Sequence, residues 1–276
     1  MRPRATMLLA EREVREALRS RWFWLAAGGF LVLSLGVSLL GLAGAQRSGL
    51  AGFDRTTAGL LNLQLLFVPL VALALGSQAI AGELEDGALG ALLAQPVTRA
   101  EVFAGKYLGL FAALGGALIA GFGATGVLVG VIAGGQAGPF LALLANALLL
   151  TATTLALAML LSAAFPSRGR VAGAAFFAWL LLVYLSDLGT IGLILARDLA
   201  PAQVFALAAV NPLQVARVLG TLALTGRPEV LGPVGLFAVD QFGATGSVLV
   251  LLSAAVATAA APLLGGYAIF RKAVLS

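Results

Sequence analysis

Cysteine and histidine are both missing from the 276 residues. No disulfide can form. The usual ligand sets for zinc, haem iron and blue copper, which rest on thiolate or imidazole, cannot be assembled either. Methionine occurs only at Met1, Met7 and Met159. Charge is scarce too: Asp, Glu, Lys and Arg make up 11% of the chain, against about a quarter in a soluble domain. No G-x-x-x-x-G-K-[ST] loop is present to cradle nucleotide phosphates. Without His, Cys or paired carboxylates in the apolar runs, no catalytic residue, metal site or cofactor is expected in this chain. A cleavable leader is not expected, because apolar residues begin only near Trp22.

What remains is oily. Hydrophobic residues make up 61% of the chain, and the mean hydropathy is +1.03. A helix crosses the hydrocarbon of a bilayer with roughly 20 residues. Six stretches reach that length: 23–44, 59–81, 107–133, 139–164, 171–195 and 247–270. They predict an all-α integral membrane protein, one transmembrane domain over 1–276. Asp187 lies inside the fifth stretch.

The net charge of +5 is a topology signal, and nucleic acid is not expected as a partner. Twelve Lys and Arg fall on one side of the predicted bundle and five on the other. Basic residues collect on the cytoplasmic side, which places both termini there. The far side receives one long excursion, 196–246, before the last span. Residues 8–22 predict a helix lying on the lipid bilayer surface, with Val14, Leu18 and Trp22 in i, i+4 steps and Arg12, Arg15 and Arg19 on other faces.

One polar island interrupts the pattern: "GELEDGALGALLAQPVTRAEVFAGKYLG", residues 82–109. Glu83, Glu85 and Asp86 are expected at the start of a short helix, where carboxylates complement the dipole. Pro96 stops that helix. Thr98 caps the next, with Glu101 three residues on as in a capping box. Local physics leaves two readings, a rigid knuckle that docks a soluble partner or a solvated loop whose acids only cap a helix.

The order GE-x-EDG-x-L-x-x-LL-x-x-PV-x-R-x-E-x-x-x-GK-x-x-G resembles the coupling-helix region, 82–106 here, of ABC-2 type transporter permeases. The matching positions are Glu83, Glu85, Asp86, Gly87, Leu89, Leu92, Pro96, Arg99, Glu101, Gly105 and Lys106. The resemblance implies an ABC-2 permease fold of the ABCG-like kind, working as a homodimer in the bacterial inner membrane. It also implies two copies of a separate ABC ATPase that binds ATP and Mg and grips the island.

"VYLSDLGTIGLILARD" and "AAVNPLQVARVLGTLALTG" are similar to the permeases of nitrous-oxide-reductase maturation systems. Those act with an ATPase and a periplasmic accessory protein in assembling a copper–sulfide centre. The matching positions are Tyr184, Asp187, Leu188, Gly192, Asn211, Pro212 and Arg217. The resemblance implies a periplasmic-partner or pathway role for Asp187, Asn211, Pro212 and Arg217. With only Met159 inside a span, bare copper is not expected to cross. Either a sulfur species passes or ATP work is transmitted mechanically. A general exporter of a lipid, drug or peptide is the alternative, and a non-transporting membrane scaffold a third.

Other polar residues carry two readings each. Asp187 marks a pathway mouth or caps a bent helix. Asn146, Thr151, Thr153 and Thr154 line a polar path or bond across packed helices. Gly169 and Gly173 form a G-x-x-x-G dimer-contact candidate. Residues 210–224 form an outer helix that meets a partner or one that rests on the membrane.

Overall fold

The structure, a computed structural model, describes residues 2–48, 51–133, 138–185, 188 and 200–273. Every regular element among the described residues is helical. Helix α1 (Pro3–Arg19) ends at Ser20, whose extended backbone (φ −76°, ψ 127°) separates it from α2 (Arg21–Ser48). After α3 (Ala51–Gly76) come two short helices, α4 (Gln78–Glu85) and α5 (Ala88–Leu93). Then follow α6 (Arg99–Ala133), α7 (Gly138–Ala164) and α8 (Arg168–Leu180), the last running into a π-helical turn at Leu181–Leu185. Helices α9 (Pro201–Val210) and α10 (Pro212–Thr225) meet at 111°. The last, α11 (Gly232–Ala273), is broken at Gly243.

Five described stretches are long and apolar enough to cross a membrane: Arg21–Gly41, Thr56–Glu85, Arg99–Ile132, Gly138–Ala164 and Val234–Lys272. They coincide with the first four and the sixth of the expected spans, and they make this a multi-pass membrane protein. Of the expected fifth, α8 and the π-helical turn are seen. Asp187 and Gly192 lie outside the described residues.

At the centre stands α7, packed against α3, α6, α10 and α11. Its core contacts include Leu143, Ala147 and Leu150 against Leu60, Leu61, Leu118, Phe122 and Leu213. The threonines of α7 are buried and bond within their own helix. Thr151 donates to Ala147 O at 2.8 Å, and Thr153 and Thr154 to Leu150 O at 2.9 and 2.7 Å. In apolar surroundings a carbonyl one turn back is the nearest partner for a helical hydroxyl. Asn146 does reach across, its Nδ2 donating to Ala216 O on α10 at 2.9 Å.

Where it is described, the excursion expected at 196–246 is helical, formed by α9, α10 and the start of α11. Helix α10 buries Leu213, Val215, Ala216 and Gly220 and packs on α3 and α7. A small, apolar stripe at i, i+3 and i+7 is a packing face, so this helix belongs to the bundle.

Candidate functional site

The acids of the island sit at the end of a helix, not at its start. The helix begins at Gln78, directly after α3, which leaves Glu83 and Glu85 in its last turn and Asp86 as its C-cap. Carboxylates there oppose the dipole. Cations from three other elements compensate them, and this is what organises the site. The chain then turns at Gly87, whose φ of 75° suits a residue without Cβ, and enters α5.

The central cation is Lys106 on α6, only 2% exposed. Its Nζ donates to Glu13 Oε1 at 2.8 Å. It also lies 2.9 Å from Glu83 Oε2, an ion pair whose angle falls outside hydrogen-bonding geometry. Arg12 Nη2 donates to the other Glu83 oxygen at 3.2 Å. Carboxylate oxygens of Glu13, Glu16 and Glu83 lie within 4.8 Å of one another; Lys106 pairs with Glu13 and Glu83, and Arg12 with Glu16 and Glu83. Burial pushes the Glu13 carboxyl above its ordinary value of 4.5; Lys106 pulls it back, while Glu83 and Glu16 push the same way as burial.

Helix α1 reaches Lys106 because α6 has no side chain in its way. A Cβ on Gly105 would sit 2.6 Å from Leu9 Cβ. On Gly109 it would sit 2.5 Å from both Ala10 O and Glu13 Cβ. One end of α1 is tied as well, since Arg2 N–H donates to Glu101 Oε1 at 2.5 Å. The helix expected at 8–22 spans 3–19 and packs on α6. Arg12, Arg15 and Arg19 remain exposed on it, Arg15 pairs with Glu11 at 2.5 Å, and Trp22, 75% exposed, opens α2 instead.

The other side of the island is held by Arg168, at the start of α8. Its backbone N–H donates to Glu85 Oε2 at 2.6 Å, and its guanidinium pairs with Asp86. Ser162 of α7 accepts from the N–H groups of Ile80 and Ala81 at 2.8 and 3.1 Å. Thr98 and Glu101 form the expected capping box, with Thr98 N–H donating to Glu101 Oε2 at 2.8 Å and Glu101 N–H to Thr98 Oγ1 at 3.3 Å. Arg99 donates to Arg271 O at 2.7 Å, tying α6 to the end of α11.

The matching positions thus divide in two. Leu89, Leu92, Glu101 and Lys106 are buried, the leucines among Ile80, Val102, Phe103, Met159 and Phe270, and Glu83 is nearly so. Glu85, Asp86, Gly87 and Pro96 are exposed, and with the exposed Ala88, Ala91 and Gln95 between them they form the tip. Sequence reasoning missed Glu13, Ser162 and Arg168. The pair of glycines flanking Lys106 was the available signal for a helix crossing there.

At the opposite end, Asn211 caps α10 through its Oδ1, which accepts from Leu213 N–H at 2.9 Å, and Pro212 takes the first helical position. Asn211 Nδ2 donates to Leu182 O at 3.3 Å. Arg217 lines a cavity of about 200 Å3 between α9, α10 and α11, together with Gln214 and Ser247.

Residues 7–275 match the family described as ABC-2 family transporter protein. The chain is 30% identical over 271 residues to a protein of Stutzerimonas stutzeri named "Probable ABC transporter permease protein NosY", covering 96% of this chain and 97% of that one. It is 32% identical over 218 residues to the protein of the same name from Pseudomonas aeruginosa PAO1, covering 76% and 79%. Several apolar helices of bilayer length, a braced island between α3 and α6 and a match over nearly the whole length agree: the chain belongs to the ABC-2 transporter family, whose permeases work with ATPase subunits.

Proposed function

We propose that this chain is the permease subunit of an ABC complex, paired with a second copy of itself and with two copies of a separate ATPase in the inner membrane. The observation that carries the reading is the braced tip. Ala88, Ala91, Gln95 and Pro96 are exposed on it, and ion pairs behind it reach α1, α6 and α8. With no phosphate loop of its own, the chain leaves hydrolysis to the partner, and the tip passes the partner's motion to the spans. The basic end of the bundle then faces the cytoplasm.

Likeness to the NosY permeases over nearly the full length supports a role in assembling the copper–sulfide centre of nitrous oxide reductase, with an accessory protein on the outer side. The test is capture of the cognate ATPase by the purified permease, with ATP hydrolysis measured in a reconstituted bilayer. Ala91→Glu on the tip abolishes capture and leaves the bundle folded; undiminished capture by that variant would refute docking here. A general exporter of an amphiphile is the second reading, favoured by the mainly apolar cavity that carries Arg217 and Gln214.

A further inference from the structure

We propose that Glu13, which matches no position of the coupling motif, is a positioning residue in coupling. It shares the Lys106 ammonium with Glu83, so α4 can part from α6 without leaving a buried cation bare. The proposal rests on the coupling reading above.

Three observations carry it. First, α1 and α6 cross closely enough to be treated as one body: a Cβ on Gly105 or Gly109 would run into α1, and Glu101 accepts the Arg2 N–H. Second, the charged bond from that body to α4 is the ion pair of Lys106 and Arg12 with Glu83. Third, each charge there has a substitute partner. If Glu83 moves off, Lys106 keeps Glu13 at 2.8 Å, and Glu83 stays within reach of the long Arg12 side chain, whose pair with it is looser at 3.2 Å. A buried ammonium with one carboxylate would hold that carboxylate fast, since separation strands an uncompensated charge. With two carboxylates on different helices, one can be released.

The consequence is opposite to that of an ordinary structural contact. Removing the Glu13 charge leaves Lys106 with Glu83 alone, which locks α4 to α6. The bundle stays folded and still captures its ATPase, and the motion stops.

The absence of cysteine permits a direct test. Spin labels on Leu84→Cys and Leu108→Cys, both exposed, report the α4–α6 distance. The labelled permease, bound to its ATPase in nanodiscs, is measured without nucleotide and with ATP plus vanadate. The distance is expected to change between the two states in the otherwise unaltered chain. In Glu13→Gln it stays at the nucleotide-free value, and ATP hydrolysis coupled to the permease falls about tenfold, an ordinary coupling between sites. The variant stays folded and still captures its ATPase, and Glu13→Asp restores movement and hydrolysis. A Glu13→Gln protein that moves and hydrolyses like its parent overturns the proposal. So does one that loses capture or unfolds, because Glu13 would then be a plain structural contact. Failure of the unaltered chain to capture any ATPase would sink the coupling reading itself, and this proposal with it.

Discussion

Lys106 and Glu13, 93 positions apart in the chain, meet at 2.8 Å in a buried contact between α6 and α1. Two acids and two bases, Glu13, Glu83, Arg12 and Lys106, close a network that joins three helices.

Removing the cation at its centre is expected to be severe. Lys106→Met leaves Glu13 without its ion-pair partner and costs roughly 3–5 kcal/mol, the scale for breaking a buried pair from one side. Adding Glu13→Gln to that variant recovers part of the loss, because Glu83 retains Arg12. Apparent thermal midpoints of the single and double variants in one detergent check both statements.

The close crossing of α1 and α6 gives a second prediction. At Gly109 a side chain meets backbone, Ala10 O at 2.5 Å, so Gly109→Leu must displace α1 and costs about 1–3 kcal/mol. Gly116 on the same helix has nothing within 4 Å of a built Cβ, and Gly116→Leu is expected to be neutral. Equal thermal midpoints for the two variants would contradict the crossing.

Protonation supplies a third. Glu13 is raised above its ordinary value, chiefly by burial. A raised folded-state pKa means that the group's stabilisation is complete below the unfolded value and is lost as pH rises through the folded one. The unaltered chain is therefore expected to lose stability relative to Glu13→Gln as pH climbs from about 4.5. Melting both proteins across a pH series decides the sign, and parallel curves would show that Glu13 does not titrate differently on folding.

Asn211→Ala removes the cap of α10 and the bond to Leu182. A lost cap costs about 1 kcal/mol. The variant is expected to melt slightly earlier with ATPase capture intact. Loss of an outer partner without any change in melting would instead assign Asn211 to recognition.

Much of this architecture was legible beforehand, where the physics is local. Apolar runs of bilayer length marked the first four spans and the last. The capping box at Thr98 and Glu101 and the stop at Pro96 follow from residues within three positions of each other. What could not be read depends on which element covers a polar group. Glu83 looked like a helix-starting acid facing a partner, since nothing nearby in sequence reveals Lys106 23 positions on. Glu13 looked like one charge among many on a basic helix. Helix α10 looked like surface, because a stripe such as Leu213, Ala216 and Gly220 does not say whether lipid, water or α7 lies against it.

The Arg168 clamp widens the reach of the tip. By connectivity the island belongs to the second and third spans alone. Arg168, from the turn that follows α7, grips Glu85 and Asp86, and Ser162 fastens the start of α4 to α7 itself. If the partner pushes on this small knob, the load reaches α7 and α8 directly as well as the helices on either side of the island in the chain, so it spreads beyond a single hairpin.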